Sequence, residues 1–218
     1  MTPAGAGAPE RVGEQVYQIL RERILTGRLA PGGRLSVPAI SRELGVSRSP
    51  VREAVLRLGR DGLAREEFNR GAVVPSFDAE HLVSLYEARE ALEGMAARLA
   101  VAHFDAPTRR EMLAVLTEHQ EVVHSGDAER HIVLDGEFHR LVRQCARSPV
   151  LGAMLEQIQD QVVVAMRWTS VTGGVGPAVD DHRAVFSALA SGDPDRAETA
   201  ARRHIARLTD LLRAKERS

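Results

Sequence analysis

From Asp78 to the end of the chain, apolar residues recur at the three- and four-residue spacing of a helix, segment after segment. Signals that open helices separate these segments: Asp105 with Pro107, Asp127, Ser148 with Pro149, and Asp193 with Pro194. We predict helices at 78–103, 106–125, 127–146, 148–171, 177–191 and 194–214, with the Gly-rich stretch TSVTGGVGP as a loop between the fourth and the fifth. The pattern indicates an all-α antiparallel bundle over residues 77–218.

The residues before the bundle follow a different order: helix, turn, helix, turn, helix, hairpin. Pro38 can open the second helix, which stops at Gly45, and Ser47 is a predicted N-cap of the third helix, closed by Gly62. LAREEF and GAVVPS then resemble two short strands around the tip Asn69-Arg70-Gly71. We predict a disordered tail at 1–9 and a winged helix-turn-helix at 10–76. The predicted fold class is mainly α.

Charge divides the chain in the same place. Residues 1–75 carry 12 Arg against 8 acidic residues, whereas residues 76–218 carry 17 Lys or Arg against 22 acidic residues. A basic segment of this kind suggests contact with a polyanion. The single Cys145 excludes an internal disulfide and favours the cytoplasm. No apolar run reaches the length of about 18 residues that a membrane helix needs.

The segment GVSRSPVREAV fits the chemistry of DNA recognition. A helix of about 11 Å diameter fits the major groove, about 12 Å wide. Arg48, Ser49 and Arg52 lie on the first turns of the predicted third helix, while Val51, Val55 and Leu58 face inward. Arg70 at the hairpin tip could enter a minor groove or hold a phosphate. The alternative is that these arginines form an ordinary solvated helix face.

The stretch RLAPGGRLSVPAISRELGVSRSPVREAVLRLGRDGLA, followed by NRGAVV, closely resembles the winged helix of the GntR family of bacterial transcription regulators. The resemblance implies double-stranded DNA as a partner. By resemblance, Arg34, Arg48 and Arg52 contact DNA, with Arg70 and Gly71 in the wing. Ser47 and Ser49, at the start of the third helix, complete the predicted DNA-binding set. Pro38 departs from the pattern, since many relatives carry a basic residue there.

Asp135 and His139 are spaced i, i+4 in LDGEFHRLV, so both side chains project from one side of a helix. The pair could be a surface ion pair, a buried hydrogen bond or half of a metal site. His182 and His204 lie in two other amphipathic helices, and spacing alone does not show that they converge on the pair. For the histidines without a matching cluster we predict surface or partly packed positions: His81, His103, His119 and His124.

The helical part resembles the FCD domain, the ligand-binding domain of the FadR-type branch of the GntR family. Many members hold a divalent metal through an Asp-x3-His pair and two later histidines, and the resemblance therefore implies the ligands Asp135, His139, His182 and His204. Zinc is the expected ion, with nickel or manganese as alternatives. Arg89 resembles a basic residue that pairs with a small carboxylate effector; the competing interpretation is a surface ion pair with Glu93 at i+4.

The function that follows is a homodimeric, ligand-responsive DNA-binding repressor with a palindromic operator, released by a small carboxylate bound at the metal. The alternative from another class is a metal-dependent hydrolase that uses the three-His, one-Asp site. Against the hydrolase stands the lack of an evident acid or base beside the ligands other than Asp180 and Asp181. In a third interpretation the metal is purely structural.

Overall fold

The computed structural model describes residues 7–168 and 174–216. Its backbone contacts divide the chain into two compact units, Met1–Ser76 and Phe77–Ser218. Each unit has its own buried core, and each is described by itself below.

The described residues of the first unit, 7–76, form three helices and one hairpin. They are α1 (Gly7–Leu25), α2 (Val37–Leu44), α3 (Arg48–Arg60), β1 (Arg65–Glu67) and β2 (Gly71–Val73). The strands are antiparallel with Glu66 opposite Ala72, and a single bridge joins Arg34 to Val73. The predicted tail at 1–9 ends earlier than expected, because α1 already begins at Gly7; residues 1–6 lie outside the described part of the chain.

The turn between α2 and α3 is formed by Gly45. Its φ of 66° is left-handed, and its N–H donates to the carbonyl of Ser41. The Ser41 hydroxyl donates to the carbonyl of Val46 at 2.6 Å. Ser47 occupies the predicted N-cap position of α3, but its side chain makes no capping hydrogen bond. The backbone of the turn therefore fixes the start of α3, and the Ser47 hydroxyl is left for another partner.

The second unit is helical throughout its described residues. Its helices are α4 (Ala79–Ala100), α5 (Ala106–Ser125), α6 (Ala128–Cys145), α7 (Pro149–Trp168), α8 (Val175–Ala190) and α9 (Pro194–Glu216), with a 3-10 turn at Val101–His103. Asp78, Asp105 and Asp127 cap α4, α5 and α6, each accepting a hydrogen bond from a backbone N–H three residues on. The predicted mainly α fold with two small strands is confirmed.

The start of α8 differs from the sequence-based expectation. Helix α8 begins at Val175, so the last three residues of TSVTGGVGP are helical; residues 169–173 of that stretch, and the predicted end of α7 at 171, lie outside the described residues. Pro177 is the third residue of α8, and a proline is tolerated there because the first-turn N–H groups have no partner within the helix.

In the second unit α4 packs along α9, α8 packs against α5 and α9, and α6 packs against α4, α5 and α7. Two apolar clusters fill the bundle, one around Phe138 and Leu155, the other around Tyr86 and Ile205. Several charged and polar side chains are nevertheless buried: Arg89, Glu93, His119, His131, Asp135, His139, His182 and His204. Among the described helices, none combines the length and apolar character needed to cross a bilayer.

Candidate metal centre and nucleic-acid interface

Three helices bring Asp135, His139, His182 and His204 together inside the bundle. Asp135 and His139 project from one face of α6, as their i, i+4 spacing requires, while α8 supplies His182 and α9 supplies His204. One ligand atom from each side chain lies within 4.8 Å of all the others, and all four residues are buried. The convergence that spacing alone left open is therefore present in the fold.

The atoms that face one another in this cluster lack hydrogen-bonding partners among the described residues. They are Oδ2 of Asp135, Nε2 of His139, Nε2 of His204 and both ring nitrogens of His182. His182 Nε2 lies 3.5 Å from Asp135 Oδ1. Buried polar atoms left unpaired are costly. A bound cation would satisfy one atom from each of the four side chains, and imidazole with carboxylate is a donor set that suits zinc.

On their outer sides, two of the histidines rest against carboxylates. His139 Nδ1 lies 3.1 Å from Glu93 Oε1, and His204 Nδ1 lies 3.2 Å from Asp181 Oδ2. Arg207 donates to the same Asp181 oxygen at 2.6 Å. A carboxylate on Nδ1 fixes the ring tautomer and leaves Nε2 free to bind a metal. Sequence reasoning named Glu93 and Asp181 but did not pair them with these histidines, because Glu93 on α4 and Asp181 on α8 are far from their partners in the sequence.

The electrostatics favour the metal-binding forms of Asp135, His182 and His204. Burial lowers the pKa of His182 and of His204, so both imidazoles favour the neutral state. Burial alone would raise the pKa of Asp135, but His139 and Arg89 outweigh it and lower that pKa. Burial would likewise raise the pKa of Glu93, yet His139, Arg89 and Arg143 lower it to about 2.

Arg89 is buried beside this cluster. Its Nη2 donates to Gln159 Oε1 at 3.1 Å, and its Nε lies 3.6 Å from Glu93 Oε1. The ion pair with Glu93 considered from the sequence exists, but its description as a surface pair is wrong, since both side chains are at most 3% exposed. A cavity of about 10 Å³, the size of one water molecule, adjoins the guanidinium. It is lined by Tyr86, Arg89, His131, Asp135, Met166, Ala178, His204 and Leu208.

In the first unit, the predicted DNA-contact residues are all exposed: Arg34, Ser47, Arg48, Ser49, Arg52, Arg70 and Gly71. On α3 the predicted inward positions are confirmed, since Val51, Val55 and Leu58 are buried. Helix α3 therefore presents Arg48, Ser49 and Arg52 from its first turns to solvent while its opposite side is anchored in the core.

Arg34 and Arg70 also organise the hairpin. Arg34 Nε donates to the carbonyl of Arg70 at 3.1 Å, and Arg70 Nη2 donates to the carbonyl of Gly32 at 3.0 Å. Arg70 Nη1 also lies 2.6 Å from Glu67 Oε2. These bonds tie the hairpin tip to the segment before α2. Both arginine side chains are thus exposed to solvent and also hydrogen-bonded to backbone carbonyls of the same unit.

Two family matches cover nearly the whole chain. Residues 12–74 match the family of bacterial regulatory proteins named gntR, and residues 84–207 match the FCD domain. The chain belongs to the GntR family of transcription regulators.

The relatives of this GntR regulator share its length and fold. It is 30% identical over 195 residues to a "Probable D-xylose utilization operon transcriptional repressor" of Paenarthrobacter nicotinovorans, covering 89% of this chain and 86% of that protein. It is 28% identical over 204 residues to the transcriptional repressor RspR of Escherichia coli, covering 93% and 89%. The structure of E. coli McbR superposes with a TM-score of 0.78 at 23% identity, covering 94% and 98%, which shows the shared fold.

Family membership decides between the two classes that the sequence left open, a transcription regulator and a metal-dependent hydrolase. Members of the family are DNA-binding transcription regulators and not enzymes, so the hydrolase alternative is set aside for this GntR regulator. The resemblance to the GntR family and to the FCD domain is confirmed.

The GntR regulator also holds a buried histidine pair, and sequence reasoning placed one of its two members wrongly. His119 was expected at the surface or partly packed, but it is completely buried on α5, where its Nε2 lies 2.7 Å from Nδ1 of His131 on α6. Burial, reinforced by His131, lowers the pKa of His119 to about 4. The immediate neighbours in TEHQE are polar, but helical spacing from Met112, Leu116 and Val122, which are buried on the same face of α5, was the signal that could have placed His119 inside.

Proposed function

We propose that this GntR regulator is a homodimeric, cytoplasmic repressor that holds a divalent metal in its helical unit and leaves its operator when a small carboxylate binds there. The single observation that carries the proposal is the convergence of unpartnered, buried ligand atoms from α6, α8 and α9 beside the buried Arg89. A bundle of this kind needs no such cluster for stability, since apolar residues of the same size would pack without unpaired atoms.

The metal ligands in this proposal are Asp135, His139, His182 and His204, and zinc is the expected ion, with nickel or manganese as alternatives. A bound divalent ion would supply positive charge and open positions for an oxygen ligand. Glu93 and Asp181 hold the rings of His139 and His204 with Nε2 toward the ion.

Arg89 is the proposed partner of the effector carboxylate. Its Nε has no hydrogen-bonding partner among the described residues, and the guanidinium adjoins the small cavity at the cluster. The cavity of about 10 Å³ is smaller than any carboxylate, so an effector must push the surrounding side chains and helices apart. A ligand that fits one arrangement of the bundle better than another shifts the equilibrium between them.

DNA recognition is assigned to the first unit. Arg48, Ser49 and Arg52 would read bases or hold phosphates in the major groove, with the Ser47 hydroxyl and the α3 N-terminus on a phosphate. Arg34, Arg70 and Gly71 would meet the backbone or the adjacent minor groove. Two protomers related by a twofold axis require a palindromic operator.

A direct test is to select an operator from random DNA with the zinc-loaded full-length protein and then titrate small carboxylates into the complex. We expect one metal per protomer in the wild type and loss of metal in His139→Ala and His182→Ala. An active carboxylate should release DNA from the wild type but not from these two variants. His124→Ala, an exposed histidine on α5, is the matched control and should behave as the wild type. DNA affinity that no carboxylate changes, in a protein that holds the metal, would contradict the effector part and leave the metal structural.

A further inference from the structure

The tip of the hairpin carries a large apolar side chain in water. Phe68 is 93% exposed, the highest value among the large apolar side chains that the structure describes. It lies between β1 and the predicted DNA-contact residues Arg70 and Gly71. A turn has no need of a phenylalanine, since Asn, Gly, Asp, Ser and Pro are the residues that favour turns. The ring therefore contributes little to the folded unit and is available to a partner.

The backbone of the tip holds Phe68 in a defined place. The Arg70 N–H donates to the carbonyl of Glu67 at 3.1 Å, and this bond closes a four-residue turn whose second residue is Phe68. Asn69, the third residue, adopts a left-handed φ of 61°, which asparagine tolerates in turns. Arg34 Nε also donates to the carbonyl of Arg70. An ordered tip of this kind loses little backbone entropy when its apolar ring meets a partner.

The charges around the tip favour DNA as that partner. Arg65 and Arg70 each pair with one oxygen of Glu67, at 2.8 and 2.6 Å, so two cations face the carboxylate that ends β1. Glu66 lies on the opposite face of the strand, because successive side chains alternate. Arg34, Arg65 and Arg70 are all exposed, so the apolar ring is framed by side chains that suit a phosphate backbone.

We propose that Phe68 is a specificity-determining residue for DNA, and that its ring enters the minor groove beside Arg70 and wedges into one base step of the operator. This inference rests on the proposed contact of the hairpin with DNA and adds a position at which the operator sequence is read. Apolar side chains that enter the minor groove partly unstack the base step that they contact. Unstacking costs least at the flexible pyrimidine–purine steps, TA and CA/TG, so the operator should carry such a step under the hairpin tip.

The first arm of the test measures DNA affinity at several salt concentrations, with the full-length protein and an operator selected from random DNA. Phe68→Ala should bind this operator about 5- to 20-fold more weakly, the effect of losing one contact between an aromatic ring and a base. Its salt dependence should equal that of the wild type, because no phosphate contact is lost. Phe68→Leu keeps an apolar wedge and should retain most of the affinity. Arg70→Gln should instead lower the salt slope by about 1.

The second arm locates the wedge on the DNA. 2-Aminopurine, placed in turn at each step that the hairpin protects, becomes more fluorescent where its stacking is lost. The wild type should raise the fluorescence at one pyrimidine–purine step, and Phe68→Ala should raise it at none. Replacing that step by the stiffer AA should weaken binding of the wild type and leave the affinity of Phe68→Ala unchanged, because the two changes remove the same interaction.

The control is Leu113→Ala, which removes an exposed leucine of the helical unit and should bind DNA as the wild type does. Equal DNA affinity of Phe68→Ala and the wild type overturns this inference and leaves the assigned contacts of Arg48 and Arg52 intact. A weaker Phe68→Ala complex with wild-type fluorescence, or with an altered oligomeric state in sedimentation, also overturns it, because the ring would then contact sugars or protein. If Arg70→Gln also leaves binding unchanged, the proposed DNA contact of the hairpin fails as well.

Discussion

At the scale of single residues, the carboxylates behind the ligands are the feature that separates this cluster from a chance meeting of histidines. Glu93 and Asp181 each contact the outer nitrogen of one ring, at 3.1 and 3.2 Å. Glu93 keeps its charge in the interior because His139, Arg89 and Arg143 surround it. Each carboxylate therefore sets which nitrogen of its histidine faces the centre.

Replacing Glu93 by Gln should weaken metal binding by about 10- to 100-fold, the usual effect of removing an outer-shell carboxylate. The amide removes the negative charge that orients His139 and makes its Nε2 a stronger donor to the ion. The measurement is a competition for zinc with a chromophoric chelator. Glu90→Gln is the control, because Glu90 lies on the same helix and pairs with Arg202 at the surface. Equal losses in both variants would show that Glu93 acts through general charge alone.

The buried histidines also predict how the metal-free protein responds to acid. The pKa of His119 is about 4 in the folded chain and about 6.5 when unfolded, so the unfolded state binds the proton first as pH falls. The stability associated with neutral His119 is therefore complete above pH of about 6.5 and declines as pH falls toward about 4.

Urea unfolding in the presence of chelator, at several pH values between 7.5 and 4.5, measures this dependence. His119→Gln removes one titrating group, so the slope of the unfolding free energy against pH should decrease by up to about 1.4 kcal/mol per pH unit. His124→Gln replaces an exposed histidine of the same helix and should keep the wild-type slope. A curve for His119→Gln parallel to that of the wild type would mean that His119 is already protonated, or equally neutral, in both states.

At the scale of helices, the arrangement of the site depends on the close contact of α4 with α9. Gly94 lies at that contact, and a Cβ added there would come within 2.5 Å of Arg202 Cγ. The absence of a side chain at this point lets α4, which carries Arg89 and Glu93, approach α9, which carries His204.

Gly94→Ala should destabilise the protein by about 1–3 kcal/mol, because overpacking forces Arg202 away and breaks its pairing with Glu90. Gly152→Ala on α7 has open space around the added methyl and should instead stabilise by about 0.5–1 kcal/mol through helix propensity. Chemical denaturation of the two variants and the wild type measures the change in unfolding free energy, which should be a loss for Gly94→Ala and a gain for Gly152→Ala. A stabilised Gly94→Ala would show that Arg202 moves aside without cost.

Helices were the part of the fold that could be predicted from sequence, because apolar periodicity and capping residues are local. The bounds of α5 match the expectation, and Asp135 with His139 follows directly from helical geometry. The convergence of His182 and His204 on that pair depends on tertiary packing. Its prediction therefore came from the family resemblance and not from the spacing of the residues. The roles of Glu93 and Asp181 have no local signal, since each meets its histidine only when its helix docks, whereas His119 follows the apolar spacing of α5.

At the scale of the whole molecule, the boundary between the basic and the acidic part of the chain coincides with the boundary between the DNA-binding and the FCD domain. The first 75 residues carry the excess of arginine, and the remainder is acidic. A negative remainder is repelled by DNA, so binding is directed to the basic segment. The two family matches fall on the same two parts of the chain.

Metal removal should lower the melting temperature of the full-length protein, because an ion that binds only the folded state stabilises it by mass action. At a free ion concentration 100 times the dissociation constant the stabilisation is about 2.7 kcal/mol. Differential scanning calorimetry with zinc and with chelator measures the difference. His139→Ala should melt at the same temperature in both conditions; a metal-dependent shift in that variant would place the ion elsewhere.

The order of the four ligands along the chain has a mechanical consequence. His204 follows Asp135 by 69 residues, and between them lie the end of α6, all of α7 and α8, and the start of α9. An ion held by both residues works as a reversible cross-link that closes this long loop, as a disulfide would, and loops of this length lose about 4 kcal/mol of chain entropy on closure. The chain has one cysteine and no disulfide partner for it. The resistance of the chain to mechanical unfolding and to proteolysis that start at α9 should therefore increase with the concentration of free metal.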